Sequence, residues 1–377
     1  MIKKKVAQVE ELEAKMIRHV RYGRATSRLE LAQACRLAAS TTGIYVDRLI
    51  EDGFLQERPA DRPSRRGRPA QVLSIRGEAG CFIGIQMESR QLCAVSVDFS
   101  GDVLTRHQLL IDEVTSAPQL IEVVNRVIEE VNPVLPLLGI GISVPVGERY
   151  SFAYAVGDAF PVPAAVGDWA QAAALGCMVF HRGIDYNSFA NIVVADSVGV
   201  GKIINGELYR CEHDGGTIGS IKLGLSETYG ETADDVISSP AIVRYVTTQL
   251  KAGKSSLLGG KEELELADII AAAQEGDELA REALKRAMRG VGWLAHLLVL
   301  IVKPEVIFLS GALNPLGEWL RTEVQAALQE FSPVCKTPVV TLCSCNEEMR
   351  GLGAAALALD AWKPKRRLSE GGAAEVD

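Results

Sequence analysis

Between Ser27 and Pro69 the chain runs closely spaced helix signals into a basic arm containing glycine and proline, and few folds accommodate that order. Upstream, Val9, Leu12, Met16, Ile17 and Val20 recur at helical spacing and predict a first helix with one buried stripe. Ser27 with Glu30 three residues on is a capping box, which opens a second short helix running through Ala34. A turn near Cys35-Arg36-Leu37 separates it from a third helix, predicted from about Ala39 to Asp52, with Val46, Leu49 and Ile50 facing inward. Gly53 suits its C-cap, and Phe54-Leu55 then starts a small hairpin. Ala38 offers no capping oxygen, a deficit of ~1 kcal/mol against Ser or Asp, and Ser40 is an alternative, later start.

Two short helices around a tight turn are the pattern that places one helix in a DNA major groove, and here Ser40, Thr41, Ile44 and Arg48 are left to enter it. The arm Arg65-Arg66-Gly67-Arg68-Pro69 suits a narrow minor groove. Glycine lets backbone approach the groove floor, proline keeps the arm extended, and the arginines supply positive charge where A·T-rich DNA is most negative. The bland alternative is a solvated linker; the position directly after a helix-turn-helix favours the groove. Charge divides the same way. Residues 1–80 hold sixteen Lys and Arg against ten Asp and Glu, a net +6, in a chain of net −8, so the remainder carries −14. A basic head on an acidic body argues for a confined DNA site and against diffuse nucleic-acid binding by the whole chain.

A chain of 377 residues can carry a head, residues 1–76 with the arm at 62–71, and a body, residues 77–362, that splits into two lobes. No apolar run of membrane-spanning length occurs, and the charged N-terminus lacks a signal peptide's apolar core, so a cytoplasmic location without membrane contact is expected. The eight cysteines are scattered, which speaks against a disulfide framework. Cys343-Ser344-Cys345 has the spacing of a metal or redox pair, but the same alternation also reads as a strand. In the body, strand-like runs at Phe82–Ile85, Leu92–Val97, Gly139–Val144, Asn191–Ala195 and Val306–Leu309 alternate with helical stretches at Pro118–Val131, Asp268–Ile301 and Leu316–Phe331. That is an α/β pattern, a mixed sheet with helices on its faces. The tail, residues 363–377, opens with Lys363-Pro-Lys-Arg-Arg and is expected to be disordered.

The ordered set of these pieces resembles the ROK family, which comprises sugar kinases and sugar-responsive repressors of the NagC/XylR type. Residues Ser27 to Asp52 with Gly67-Arg68-Pro69 look like the winged helix-turn-helix of the repressor branch. Gly139-Ile-Gly-Ile-Ser-Val-Pro145 is similar to the family's glycine-rich strand and loop, and Val198-Gly-Val-Gly201 with Ile204–Tyr209 to its central hairpin. Asp268 through Asp277, ending at Pro304–Gly311, matches its late helices and second phosphate loop. The resemblance implies a two-lobed, actin-like and ribonuclease-H-like body, with lobes at residues 77–185 plus a C-terminal helix and at 186–345.

Several family motifs are altered. Kinases of the family end the first strand in Asp-x-Gly-Gly-Thr, whose glycines admit ATP phosphates; here the stretch reads Gln86-Met87-Glu88-Ser89-Arg90, without the acid or the glycines. The resemblance matches Ile184-Asp185-Tyr186-Asn187 to the kinases' Asn-Asp-x-Asn, leaving Asp185 a vestigial base or, on the residues alone, a strand-end carboxylate capping a helix. The sugar-binding and zinc-ligating Glu-x-Gly-His corresponds to Thr217-Ile218-Gly219-Ser220, and Leu223–Asp235 has no cysteine to hold zinc. Cys211 and His213 make no tetrahedral site by themselves, and Asp234 or Asp235 falls near the family's last sugar-binding glutamate. No metal or other cofactor is therefore expected.

The implied function is a DNA-binding regulator, a repressor of carbohydrate-related genes, without kinase activity. A homodimer or dimer of dimers is expected to place two third helices on a palindromic, A·T-flanked operator, with Arg65, Arg66, Gly67 and Arg68 in the adjacent minor grooves. A sugar or sugar-phosphate effector would meet Asp185, Asn187, Thr217 and Ser220 in the interlobe cleft. A body that only dimerises, or an active sugar kinase with a DNA-binding head, are the alternatives.

Overall fold

The computed structural model describes residues 2–59, 71–87, 91–112, 114, 116–144, 156, 159–210, 218–224, 230–333, 336–343 and 351–366. Three helices, α1 (Ile2–Arg21), α2 (Arg28–Cys35) and α3 (Ala39–Glu51), lead into an antiparallel hairpin of β1 (Leu55–Pro59) and β2 (Gln71–Ile75). Ser27 Oγ accepts the Glu30 amide as a capping box requires, but Glu30 reciprocates one residue early, taking the Thr26 amide at 2.7 Å. Arg36 ends α2 in the left-handed region at φ 56°. α3 starts at Ala38 with no side-chain cap, so the weak start read from the sequence is real. Met16, Ile17 and Val20 of α1, Leu31 of α2, and Val46 and Leu49 of α3 bury their apolar stripes together.

The body is a mixed α/β structure built on two five-stranded sheets of the same topology. In the first, β3 (Cys81–Met87) pairs antiparallel with β4 (Gln91–Asp98), which pairs antiparallel with β5 (Val103–Leu110). On its other side β3 runs parallel to β6 (Leu137–Val144), and β6 to β7 (Ala164–Asp168). The second repeats the plan: β8 (Phe189–Val194), β9 (Val198–Ile204) and β10 (Glu207–Leu208) are antiparallel, and β11 (Val306–Gly311) and β12 (Val339–Leu342) continue parallel from β8. α4 (Ala117–Val131) covers the first sheet with Leu120, Val124, Val127 and Val131, one face at helical spacing. α6 (Ala233–Ile237), α7 (Ser239–Lys251), α8 (Leu266–Glu275), α9 (Glu278–Ile301) and α10 (Glu318–Phe331) cover the second. The helical stretch predicted over Asp268–Ile301 is two helices, because Gly276 turns left-handed at φ 100° and Asp277 caps a new start.

Between the sheets lie α5 (Trp169–Phe180) against β8 and β9, and α11 (Leu352–Ala361) against β3 and β6, packed on each other. The contact is backbone on backbone: a Cβ at Gly141 would sit 1.7 Å from the Ala354 carbonyl oxygen, and one at Gly84 2.2 Å from the Ala355 nitrogen. Two expectations are corrected. Cys177 of α5 and Cys343, beyond β12, form a disulfide across 166 residues, where the scattered spacing argues against bridges. Both sulfurs are buried where the two elements meet, a proximity that spacing along the chain does not encode. Residues 363–366 pack on the head and are not disordered, while 367–377 lie outside the described residues. Gly141→Ala has no rotamer with which to escape Ala354, and is expected to lower stability by about 3 kcal/mol in thermal or denaturant unfolding.

Candidate functional site

Two regions concentrate polar chemistry, the exposed face of α3 and the cleft edge of the two sheets. On α3, Ser40 and Asp47 are exposed, Ile44 is 61% exposed and Thr41 is half-buried. Arg28 of α2 organises the face from behind: Nη2 meets Asp47 at 2.7 Å, and Nε meets Glu57 of β1 at 2.7 Å. The Glu57 bond, followed by Asp47, holds the guanidinium charged more firmly than usual. Arg48 does not share the outer face freely. Its Nη1 lies 3.4 Å from Oε1 of Glu13, a fully buried residue of α1, and its guanidinium covers the Tyr45 ring. Arg65, Arg66, Gly67 and Arg68 lie outside the described residues.

The head is joined to the body through the end of α1. Tyr22 is buried among Phe189, Phe308 and Leu175 of the body. Arg21 donates to the Phe99 carbonyl at 3.0 Å and to the Leu359 carbonyl at 3.3 Å, and burial pulls its guanidinium down to about 10. Arg18 donates to the Asp360 carbonyl at 3.0 Å. A cavity of about 330 Å³ opens at this joint, lined by Glu11, Arg18, Glu207, Arg210, Asp360 and Lys363. Its charges largely satisfy one another, Arg210 pairing with Asp360 at 3.0 Å and Lys363 with Glu11, so it is a polar seam and not the cleft.

A second set of polar groups stands where the parallel strands end. Gln86 Oε1, at the end of β3, accepts the Gly351 amide that starts α11, at 3.2 Å. Ser143 is buried at the end of β6, its Oγ without a partner among the described residues. Asp168 is buried at the end of β7, and its Oδ1 accepts the Gln171 amide at 2.7 Å, capping α5. Beside the second sheet, Asp234 Oδ1 accepts the Val198 amide at 2.7 Å, and its own amide donates to the Gly219 carbonyl at 2.8 Å. Gly219 has no room for a side chain, since a Cβ would lie 2.1 Å from the Asp234 carboxylate. Burial, with a smaller push from Asp235, raises the Asp234 carboxyl. Asp235 instead bonds Thr232 and faces Arg244 at 3.5 Å, which separates two residues the sequence left equivalent.

Of the residues grouped as effector ligands, Asp185 and Asn187 stand apart from Ser220. Asp185 is exposed in a 3₁₀ turn over Arg182–Asp185 that no helix follows. Asn187 is exposed, its amide on Glu305 at 2.9 Å, so both stand at the amino ends of β8 and β11. Ser220, also exposed, stands at the other end of β8, about 17–20 Å away for a strand of that length. Thr217 lies outside the described residues. The strand-end carboxylate that caps a helix is Asp168, not Asp185. Its sequence signal was present: an apolar run, then Asp168-Trp169-Ala170-Gln171, then the alanine-rich start of a helix. Among the described residues no group of three or more His, Cys, Asp and Glu gathers to hold a metal.

A helical head on two like five-stranded sheets that share a helical layer defines the class: a mixed α/β protein with a duplicated sheet plan. The chain belongs to the ROK family, whose model matches residues 82–361. Its relatives include the xylose repressor of Caldicellulosiruptor bescii, 22% identical over 336 residues that cover 81% of this chain and 84% of that one. The DNA-binding transcriptional repressor Mlc of Escherichia coli is 20% identical, covering 89% of each chain. Among solved structures, a ROK family transcriptional regulator described as a homolog of E. coli MLC superposes with a TM-score of 0.75 at 20% identity, over 92% of this chain and 96% of that one. A ROK family glucokinase from Streptomyces griseus, solved with glucose and AMPPNP, superposes with a TM-score of 0.62 at 20% identity, over 74% of this chain and 99% of that one.

The two carboxylates make opposite predictions. Asp168→Ala removes a buried cap and is expected to cost about 1–2 kcal/mol of stability. Asp185→Ala, on an exposed turn, should change unfolding by less than about 0.5 kcal/mol.

Proposed function

We propose that this ROK protein is a DNA-binding transcriptional regulator, a repressor of carbohydrate-related genes, whose body performs no phosphoryl transfer. The observation that carries the reading is the N-terminal unit. α2, a turn at Arg36 and α3, followed by the β1–β2 hairpin, have the order of a winged helix-turn-helix, with α3 presenting Ser40 and Ile44 outward. The relatives whose names describe them as repressors align over 81% and 89% of this chain. Ile44 offers an apolar surface to a thymine methyl, and Ser40 a hydroxyl to a base edge or phosphate. Arg48 belongs to the helix's anchorage on α1, and Arg65, Arg66, Gly67 and Arg68 supply the minor-groove arm. The duplicated sheets are read as the two lobes of an actin-like body that dimerises and spaces two heads on a palindromic operator.

Loss of kinase chemistry follows from reading Asp168-Trp169-Ala170-Gln171 as the counterpart of Asn-Asp-x-Asn. That register puts Trp169 where a kinase holds its base, and an indole N–H donates but takes no proton. Gln86, in place of the acidic residue of the phosphate loop, is already bonded to Gly351. The effector site is the cleft at the carboxyl ends of the parallel strands, where open α/β sheets bind ligands. Ser143, Ser220 and Asp234 line that edge, and Asp185 and Asn187 are set aside. A sugar-like ligand, rich in hydroxyls, suits a raised carboxyl and an unpartnered serine.

Footprinting on genomic fragments is expected to show protected, two-fold symmetric sites. Ile44→Glu should weaken binding to such a site at least about tenfold while leaving the melting temperature unchanged, since the side chain is exposed; unchanged binding would place the DNA on another face. Thermal-shift screening of hexoses, amino sugars and their phosphates should find a ligand that raises the melting temperature. No sugar-dependent ATP consumption is expected; turnover would restore the kinase reading, and silence across the whole screen would favour a body that only dimerises.

A further inference from the structure

After α11 the chain does not leave the molecule but crosses onto the head. Trp362 is 8% exposed, its ring 5.0 Å from Phe54, which follows α3, and 5.0 Å from Phe99 of the body. Four residues on, Arg366 draws three carboxylates together. Its amide meets Glu10 Oε1 at 2.8 Å, its Nε meets Glu13 Oε2 at 2.7 Å, and its Nη1 meets Asp52 Oδ2 at 2.6 Å. Asp52 closes the carboxyl end of α3. Glu13, fully buried, gives its other oxygen to Arg48 of α3. The strap therefore grips α3 twice, directly at Asp52 and through Glu13 at Arg48. A buried carboxylate stripped of such partners is costly, so the grip is not incidental. At its other end the strap is continuous with α11, which is seated on Gly84 and Gly141 without slack and begins at Gly351 on the cleft residue Gln86.

We infer that the C-terminal strap, Trp362–Arg366, fixes the direction in which each body holds its α3, with Arg366 the positioning residue for DNA binding. The inference rests on the regulator reading and deepens it. One head on one half-site needs only the shape of the head. Two heads on two half-sites need a fixed relation between them, and that relation sets the effective concentration of the second head once the first is bound.

The test uses the full-length protein, DNA carrying two half-sites from the footprinted site at a series of spacings, and DNA carrying one half-site. Arg366→Ala and Asp52→Asn are each expected to bind the best-spaced pair about tenfold more weakly, to flatten the dependence on spacing, and to bind the single half-site within about twofold of wild type. Arg366→Lys, which keeps the charge, should recover most of the spacing preference. Equal losses on both DNAs would show that Arg366 only stabilises the head, and an unchanged spacing profile would show that the strap does not aim α3; either result overturns the inference. If Arg366→Ala fails to fold by its melting curve, Asp52→Asn, a change at a partly exposed carboxylate, decides alone. A wild type that binds neither DNA overturns the regulator reading itself, a result distinct from variants that bind like wild type.

Discussion

The seating of α11 on Gly84 and Gly141 is the contact on which the rest of the molecule depends. With no side chain between helix and sheet, the backbones meet directly, and the contact is repeated inward: a Cβ at Gly353 would lie 2.6 Å from the Ala172 carbonyl of α5, and one at Gly201 2.2 Å from the Ala170 carbonyl. Sheet, α11, α5 and sheet are thus laminated by small residues, and Ala354, Ala355, Ala356 and Ala358 of α11 are all buried. Such a layer gains dispersion contacts over its full length and has no flexible side chain to absorb displacement. The two sheets thereby share one helical layer.

The head meets this layer by electrostatics that consume much of its positive charge. Arg18 and Arg21 spend their donors on the carbonyls of Asp360, Phe99 and Leu359, Arg28 is held by Asp47 and Glu57, and Arg48 by Glu13. A net charge of +6 over residues 1–80 therefore overstates what the head can offer to phosphates. Partly exposed pairs such as Arg28–Asp47 contribute little energy each, but they fix where α3 points relative to α2 and β1. The buried Glu13 is a different case, because removing its cations would leave a desolvated charge.

Much of the head was legible because its signals are local. Ser27 and Glu30 mark a helix start, Arg36 falls in a turn, and the stripe Met16, Ile17, Val20 needs only periodicity to be seen. Strands β3, β4, β6, β8 and β11 announced themselves as β-branched and apolar runs. α5 and α11 did not, since a helix buried on all sides has no polar face to give it a period. The edge strand β5 alternates exposed and half-buried residues and lacked an apolar run. Matching Asp185 to the kinases' base rests on a four-residue motif, which carries no information about which end of a sheet it occupies, and the turn over Arg182–Asp185 stands at the amino end of β8. Asp168 was recoverable from its context, a strand running into an alanine-rich helix. The strap was read as disordered from its lysines and arginines, and only the fold shows that Glu11, Glu13 and Asp52 wait for them.

The geometry also ties the ends of the parallel strands to the head. Gln86 stands at the cleft, bonded to the first amide of α11, and the last residue of α11 is followed by Trp362 under α3's neighbour Phe54. The helix spans about 15 Å between these points at 1.5 Å per residue. A ligand influences the head only through a difference in its affinity for two arrangements of the body. Because α11 cannot slide over Gly84 and Gly141 without separating backbones, an arrangement that moves the end of β3 has to move α11 as a rigid piece. The close packing that leaves no room for a methyl group makes α11 one rigid piece between Gln86 and the head.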